Sequence, residues 1–202
     1  MGTNYTTIIL NNLKQQYAAL PSDMETRMGA QQDGDTFIFK AFGRKCVISP
    51  DHIMLDDEEL ADARGVIISL YFCHAAPEPC IMPPLRAFKE FENSMPYAGA
   101  FTTHTEQVLV PHAGKIASNL DSIFEVLDGE AAPTEVGGDL AFIVTPLPKI
   151  RLCYILYEAD EDFPASVTCL YSANAGSFLP IDALADVGEY ASKRMIELVG
   201  TA

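Results

Sequence analysis

The chain has 202 residues, of which 49% are apolar and 20% charged, and its formal net charge is -15. That length and balance are typical of one globular domain, so we expect a single domain over residues 1–202. The acidic balance argues against nucleic-acid binding, which needs basic side chains to meet phosphates. It also argues against binding to an anionic membrane surface. No apolar run approaches the ~20 residues of a membrane span.

Cysteine usage and the N-terminal segment point to a compartment. Met1 to Leu20 contains no basic stretch leading into an apolar core, so it predicts no secretory signal. Five cysteines without a CxxC pair make a poor disulfide framework. We therefore expect a cytoplasmic protein with reduced thiols. Cys46, Cys153 and Cys169 lie in apolar, strand-like runs and are expected to be buried as small hydrophobic residues.

The first fifty residues predict a helix followed by a β-hairpin. Apolar residues recur at helical spacing from about Asn4 to Ala19, and Pro21 ends that pattern. An alternating run then begins near residue 36 and returns by residue 49, with Phe42-Gly43-Arg44 as its turn. A hairpin is therefore predicted over residues 36–49.

A second helix is predicted between this hairpin and a proline-rich loop. The acidic run Asp56–Glu59 suits the first turn of a helix, where carboxylates meet the positive end of the helix dipole. Helical spacing continues to His74, and the stretch Val66–Phe72 is apolar nearly all round, which predicts a central, buried helix. Prolines between Pro77 and Pro84 then break the chain into a loop.

The middle of the chain predicts one short strand and one helix. Leu85–Phe91 has the composition of a strand. Met95–Phe101 contains a proline and a glycine and is predicted to be a loop. The apolar spacing from Ala113 to Leu127 predicts a helix, with Gly129 ending it.

The last third of the chain predicts more strands and a closing helix. Leu140–Thr145 and Arg151–Tyr157 have strand character, and the alternation of the second gives it two distinct faces. Ala165–Tyr171 is its expected partner, which makes a second hairpin near residues 151–171. The last helix is predicted to begin near Pro180. About four helices and antiparallel strands without a regular βαβ rhythm indicate an α+β fold.

The closest approach to a metal-binding motif is Cys73-His74 together with Cys80. Thiolates and an imidazole are ligands that Zn²⁺ or iron accept. The spacing is that of neither a zinc finger nor a ferredoxin, and adjacent residues of a helix point about 100° apart. Since His74 continues the apolar stripe, we expect a buried helix end here and no metal.

The loop between the last two predicted strands is the most distinctive segment. Between Glu158 and Asp162 it places four carboxylates within five residues, and such oxygens bind hard cations. The loop lacks the spacing and glycine of an EF-hand, and acids in a hairpin loop commonly cap backbone N–H groups or face water. Both interpretations stay open. The candidate ligand- or metal-binding residues are Asp160, Glu161, Asp162, Cys73, His74 and Cys80.

The histidines complete no recognisable ligand set. His104 and His112 lie eight positions apart, with Pro111 between them. His52 follows Asp51, whose carboxylate could orient its imidazole. The chain has no nucleophile elbow and no phosphate-loop pattern. Local motifs therefore predict no catalytic residue.

Several segments of the chain resemble one protein family. The segments of the second half are Pro146-Leu147-Pro148-Lys149-Ile150-Arg151-Leu152, Tyr157, Asp160–Ala165, Leu170-Tyr171 and Phe178–Leu184. Together they are similar to the family catalogued as domain of unknown function 3786 (DUF3786). Its members commonly show a proline-rich lead into a strand, a turn, a second strand and a Leu-Pro entry to a closing helix. The hairpin around Phe42-Gly43-Arg44 and the helix through Leu70-Tyr71 resemble its N-terminal half.

The resemblance implies a bacterial or archaeal protein, largely of anaerobes, from a family without an established activity. Some relatives carry a separate iron–sulfur-type cysteine motif ahead of this domain, which implies redox or one-carbon metabolism for them. This chain lacks that motif. Glu158-Ala159 stands where small residues are usual, and Tyr157 replaces a common tryptophan. The resemblance supplies no functional residue, and the cofactor is left unknown.

Three functions are compatible with these observations. The first is a cytoplasmic binding or accessory protein of anaerobic metabolism that handles a small molecule or a partner protein. The second is a metal-dependent enzyme that uses the acidic loop 158–162 with a histidine brought near by the fold. The third is a structural homo-oligomer. We favour the first because no catalytic constellation is visible, but active sites are often assembled from distant residues, so enzymatic activity is left open.

Overall fold

A computed structural model describes residues 4–200 and confirms the α+β prediction, with two antiparallel sheets packed against helices. The predicted domain also includes residues 1–3 and 201–202, which lie outside the described residues. The helices are α1 (Asn4–Tyr17), α2 (Met24–Met28), α3 (Ala63–Cys73), α4 (Met95–Phe101), α5 (Ala113–Ser118), α6 (Leu120–Leu127) and α7 (Ile181–Gly200). The strands are β1 (Gln31–Asp33), β2 (Thr36–Ala41), β3 (Arg44–Ile48), β4 (Ile53–Leu55), β5 (Glu58–Glu59), β6 (Leu85–Ala87), β7 (Glu130–Ala131), β8 (Leu140–Leu147), β9 (Ile150–Tyr157) and β10 (Ser166–Ser172).

The first sheet is an antiparallel meander in the order β1-β2-β3-β4-β5. Its central hairpin confirms the strand pair predicted over residues 36–49. The turn residues Phe42 and Gly43 have φ values of 51° and 75°, as a tight two-residue hairpin turn requires. The Phe42 amide donates a 2.7 Å hydrogen bond to the carbonyl of Pro146, which joins this sheet to the second one.

The buried helix α3 begins later than its acidic run predicts. Asp56 and Asp57 instead form the turn between β4 and β5, and the Lys45 amide donates to Asp56 Oδ1 at 3.0 Å. The helix starts at Ala63, where Asp62 is the N-cap and accepts from the Arg64 amide at 2.9 Å. The prediction of the start was wrong because strand pairing and a side-chain cap outweighed the dipole preference of the acidic run.

The second sheet has the order β6-β10-β9-β8-β7 with antiparallel pairing throughout. Its β9–β10 pair runs from Tyr157 opposite Ser166 to Leu152 opposite Tyr171, which confirms the hairpin near residues 151–171. Only the first part of the strand predicted at residues 85–91 is extended, because a 3₁₀ turn follows at residues 88–90. One face of this sheet adjoins the main core, and the other carries a small cluster around Cys153.

The segment from residue 95 to residue 127 is more helical than predicted. Met95–Phe101 is a helix rather than a loop, since its proline lies in the first turn, where the missing N–H costs nothing. A π-helical turn, Thr102–Glu106, and 3₁₀ turns at residues 107–112 follow directly. The single helix predicted over Ala113–Leu127 is broken at Asn119, whose side chain donates to the Lys115 carbonyl at 2.8 Å.

Helix α7 begins directly after Pro180, as predicted, and runs through the centre of the core. Leu184, Val187, Ala191 and Met195 are completely or almost completely buried on its inner face. The three cysteines expected to be buried are buried. Across residues 4–200, no helix is both long and apolar enough to cross a membrane.

Candidate functional site around a π-helical turn

In the structure, the side chains of Cys73 and Cys80 are half-buried and that of His74 is exposed. The Cys73 thiol donates to the carbonyl of Asn12 at 3.5 Å. His74 caps the end of α3 with its Nδ1 2.9 Å from the carbonyl of Leu70. Its side chain is exposed, so the prediction of a buried helix end was wrong for this residue: α3 ends at Cys73, one position before it. Among the described residues, no group of three or more His, Cys, Asp or Glu is placed to hold a metal ion.

The acidic loop is an exposed turn that its own side chains cap. Asp160 Oδ1 accepts hydrogen bonds from the amides of Asp162 at 2.8 Å and Phe163 at 2.7 Å. The Glu158 amide donates to Asp139 Oδ2 at 2.7 Å. These contacts are the backbone capping that acids in turns commonly provide. Ligand binding by Asp160, Glu161 and Asp162 stays a prediction.

The side chains of His52 and Lys149 make contacts that stabilise the fold. His52 Nδ1 lies 2.7 Å from Asp51 Oδ1 on an exposed loop, so the carboxylate does orient this imidazole. Lys149 is only 8% exposed, and its ammonium donates to the carbonyls of Ala76 at 3.3 Å and Glu78 at 2.9 Å. Burial lowers the pKa of Lys149. This lysine fastens the loop after α3 to the turn between β8 and β9.

The π-helical turn Thr102–Glu106 is the most unusual backbone feature near polar side chains. Such turns insert an extra residue into a helix and are frequent at functional sites. The turn packs against α7, where Gly188 allows the close approach: a Cβ at this position would lie 2.9 Å from Thr105 Oγ1. The π turn thereby directs Glu106 toward the edge of the second sheet.

The Glu106 side chain supplies a hydrogen-bond acceptor to β10 where β6 no longer pairs with that strand. Strand β6 pairs with β10 only at residues 170–172, and Glu106 Oε1 accepts the amide of the preceding residue, Cys169, at 2.9 Å. Burial raises the pKa of Glu106. The Cys169 amide, the Thr102 hydroxyl and the Lys89 ammonium oppose that rise without cancelling it. The result is a half-buried carboxylate in a fixed position.

This carboxylate faces a cavity of about 250 Å³, which we call the Glu106 cavity. It is lined by Ala87, Phe88, Lys89, Ala98, Phe101, Thr102, Glu106, Thr168 and Cys169. Phe88 and Phe101 form an apolar wall, with their rings stacked at 4.4 Å and 12°. Lys89 and Glu106 bring opposite charges to the cavity, but they form no ion pair within 4 Å in the described part of the chain.

A buried polar chain stiffens the wall behind the cavity. The Tyr154 hydroxyl lies 3.1 Å from Ser192 Oγ, and Ser192 in turn donates to the carbonyl of Thr105 at 2.8 Å. The Tyr171 hydroxyl donates to the carbonyl of Leu184 at 2.8 Å. Burial raises the pKa values of both tyrosines, so both stay neutral donors. Buried hydrogen-bond networks of this kind hold their elements in one arrangement, although the hydroxyl of Thr105 is itself buried without a partner among the described residues.

Sequence reasoning missed Glu106 and Lys89. Glu106 lies in a stretch for which no helix or strand was predicted. It is fixed at the cavity by a hydrogen bond from the Cys169 amide, 63 positions away. Lys89 lies inside a predicted strand that proved to be a 3₁₀ turn. No spacing pattern in the sequence connects the two residues. The π-helical turn places Glu106 at the cavity, and the pairing of β6 with β10 places Lys89 there.

The fold and this cavity define an α+β protein with two antiparallel sheets and a carboxylate-lined site beside a π-helical turn. A comparison with protein families adds the membership: the family model "Domain of unknown function (DUF3786)" matches residues 21–194. The chain therefore belongs to this family, which confirms the resemblance seen in its sequence. Comparisons with curated proteins and with solved structures found no match.

Proposed function

We propose that the protein binds a small molecule in the Glu106 cavity. The observation that carries this proposal is the half-buried Glu106 carboxylate, held by the Cys169 amide at 2.9 Å and directed into a cavity. Carboxylates are seldom buried without a charged partner unless they serve a structure or a ligand. Cavities that combine an apolar wall with a few fixed polar groups are typical ligand sites. The volume of about 250 Å³ suits a ligand smaller than a drug molecule.

The proposed setting is anaerobic metabolism, as the family resemblance implies, in the cytoplasm, as the cysteine usage predicts. All five cysteines are free thiols in the described structure, which supports a reducing compartment. The metal-dependent enzyme using the acidic loop 158–162 and the structural homo-oligomer stay predictions. We favour ligand binding over both because the Glu106 cavity provides a fixed, partly desolvated polar group, whereas the acidic loop is an exposed, self-capped turn.

The test is a thermal-shift screen of free amino acids, organic acids, amines, nucleosides and sugars. A ligand at about ten times its Kd stabilises the folded state by ~1.4 kcal/mol, which moves the melting temperature measurably. Two variants on α4 locate the site. Ala98→Leu fills the Glu106 cavity, whereas Ala100→Leu makes the same change on the side that lines a different cavity, against α7.

We expect at least one compound to raise the melting temperature of the wild type and of Ala100→Leu, but not that of Ala98→Leu. A screen without any stabilising compound would contradict the proposal. Equal stabilisation of both leucine variants would also contradict it, because binding would then occur elsewhere on the chain.

A further inference from the structure

The charges that line the Glu106 cavity indicate the chemical class of its ligand. The inference of that class rests on the proposed function, ligand binding in this cavity. Glu106 and Lys89 are the two charged side chains among its lining residues. The cavity therefore has no net charge of its own, although the whole chain carries -15. A ligand chosen by long-range attraction to the acidic chain would be a plain cation, whereas this lining suits a molecule that carries both charges.

Neither lining charge is held in an ion pair within 4 Å by the described residues, although Lys89 and Glu106 attract each other at longer range. Lys89 is exposed and forms no ion pair with any described residue. Glu106 accepts the Cys169 amide on one carboxylate oxygen and also interacts with the Thr102 hydroxyl, but a carboxylate has about four acceptor sites, so some stay available to a ligand. Both groups can therefore bond to a ligand without breaking an existing ion pair. Charge-assisted hydrogen bonds of this kind are about twice as strong as neutral ones.

The spacing and the walls limit the size of the ligand. The carboxylate of Glu106 and the ammonium of Lys89 line the same cavity but are more than 4 Å apart, so a bridging molecule need not displace an ion pair between them. The cavity of about 250 Å³ holds a molecule of few heavy atoms. The stacked rings of Phe88 and Phe101 offer an apolar surface to a short carbon chain.

We infer that the ligand is a small amino acid, with its ammonium group on Glu106 and its carboxylate on Lys89. Glu106 accepts from the ammonium because that carboxylate is fixed and partly withdrawn from water. Lys89 closes over the carboxylate from the exposed side. Each end of the ligand then meets its opposite charge inside one cavity.

Isothermal titration calorimetry with alanine and its two half-molecules tests this inference. Ethylamine keeps the ammonium group of alanine, and propionate keeps its carboxylate. We expect alanine to bind at least about tenfold more tightly than either half, since each charge-assisted bond contributes a factor of that order. Glu106→Gln and Lys89→Met are each expected to weaken alanine at least about tenfold. The matched changes Glu125→Gln and Lys115→Met, at exposed positions outside the cavity lining, leave its affinity unchanged.

Other outcomes overturn the inference in distinguishable ways. If ethylamine or propionate binds as tightly as alanine, one charge suffices and the zwitterion assignment is wrong. If alanine does not bind but a sugar or nucleoside stabilises the wild type and not Ala98→Leu, the cavity binds ligands and only the amino-acid class is wrong. If no compound binds the cavity, the inference and the proposed function fail together.

Discussion

The Ser192 hydroxyl donates a 2.8 Å hydrogen bond to the backbone carbonyl of Thr105 and so joins α7 to the π-helical turn. Both residues are completely buried. Gly188, one turn before Ser192 on α7, lets the turn approach closely. The position of Glu106 at its cavity therefore depends on packing deep in the core, away from the cavity itself.

Replacing Gly188 with alanine tests this packing. The added Cβ would lie 2.8 Å from the ring of Phe101 and from the Tyr171 hydroxyl, and 2.9 Å from Thr105 Oγ1. Overpacking of this kind costs about 1–3 kcal/mol, whereas alanine contributes ~1 kcal/mol of helix propensity. We therefore expect Gly188→Ala to lower the free energy of unfolding by a net amount of up to about 2 kcal/mol.

Gly99→Ala on α4 is the matched control, since a Cβ there meets nothing within 4 Å. We expect this variant to be more stable than the wild type by about 0.5–1 kcal/mol. Urea unfolding measures both variants. Equal stability of Gly188→Ala and Gly99→Ala would show that α7 and the π turn are not closely packed.

Glu106→Gln should change how stability depends on pH. Burial raises the pKa of Glu106 in the folded protein above its value in the unfolded chain. The folded state therefore holds this proton to higher pH, and the wild type loses stability as pH rises from the unfolded pKa through the raised folded one. Glutamine keeps an acceptor for the Cys169 amide and does not titrate. The stability of Glu106→Gln relative to the wild type should thus increase as pH rises from about 4, near the pKa of glutamate in an unfolded chain, through the raised folded pKa, and then level off.

Urea unfolding at several pH values measures this difference, and Glu125→Gln serves as the control. Glu125 is exposed, so its variant should follow the wild type closely across the same range. A flat difference for Glu106→Gln would mean that its carboxyl is as well solvated in the folded protein as in the unfolded chain.

Lys149→Met should loosen the loop after α3. The variant loses the hydrogen bonds to the carbonyls of Ala76 and Glu78, while a side chain of similar length still fills the space. At the far end of the loop the Ile81 amide donates to Asn174 Oδ1 at 2.8 Å, and this bond should open more often once the lysine no longer holds the near end. We expect hydrogen exchange of the Ile81 amide to accelerate about tenfold, as the loss of a bond to a charged donor implies.

Lys115→Met removes an exposed lysine on α5 and should leave the exchange of the Ile81 amide unchanged. Mass spectrometry or NMR measures both rates. Unchanged exchange in Lys149→Met would show that the buried lysine contributes nothing to the order of this loop.

The sequence predicted the elements whose pattern is local. The β9–β10 hairpin and α7 were placed within a residue or two because alternation and helical spacing persist over their whole length. The start of α3 was missed because the acids at residues 56–59 suit a helix end and a turn equally well. Helix α4 was missed because its proline and glycine are usual in loops.

The site could not be predicted in the same way. Glu106 is held in place by the Cys169 amide. That amide is available to a side chain because β6 is too short to pair with it. The Glu106–Cys169 contact and the length of the β6–β10 pairing both depend on the tertiary structure, so local sequence patterns do not reveal them. The acidic loop is a candidate site in the sequence because its charged residues are adjacent there. In the structure, however, the Asp160 carboxylate accepts hydrogen bonds from the backbone of the turn itself. Charged residues that are neighbours in sequence indicate the acidic loop, whereas charged residues that are neighbours in space indicate the Glu106 cavity.

An NMR titration of ¹⁵N-labelled protein with the best compound of the screen tests the central claim most directly. If a small molecule occupies the Glu106 cavity, the amide signals of Ala98, Thr102 and Cys169 should shift together, whereas those of the acidic loop at Asp162 and Phe163 stay fixed. Shifts confined to the acidic loop, or none at Cys169 when the ligand is saturating, would contradict the account.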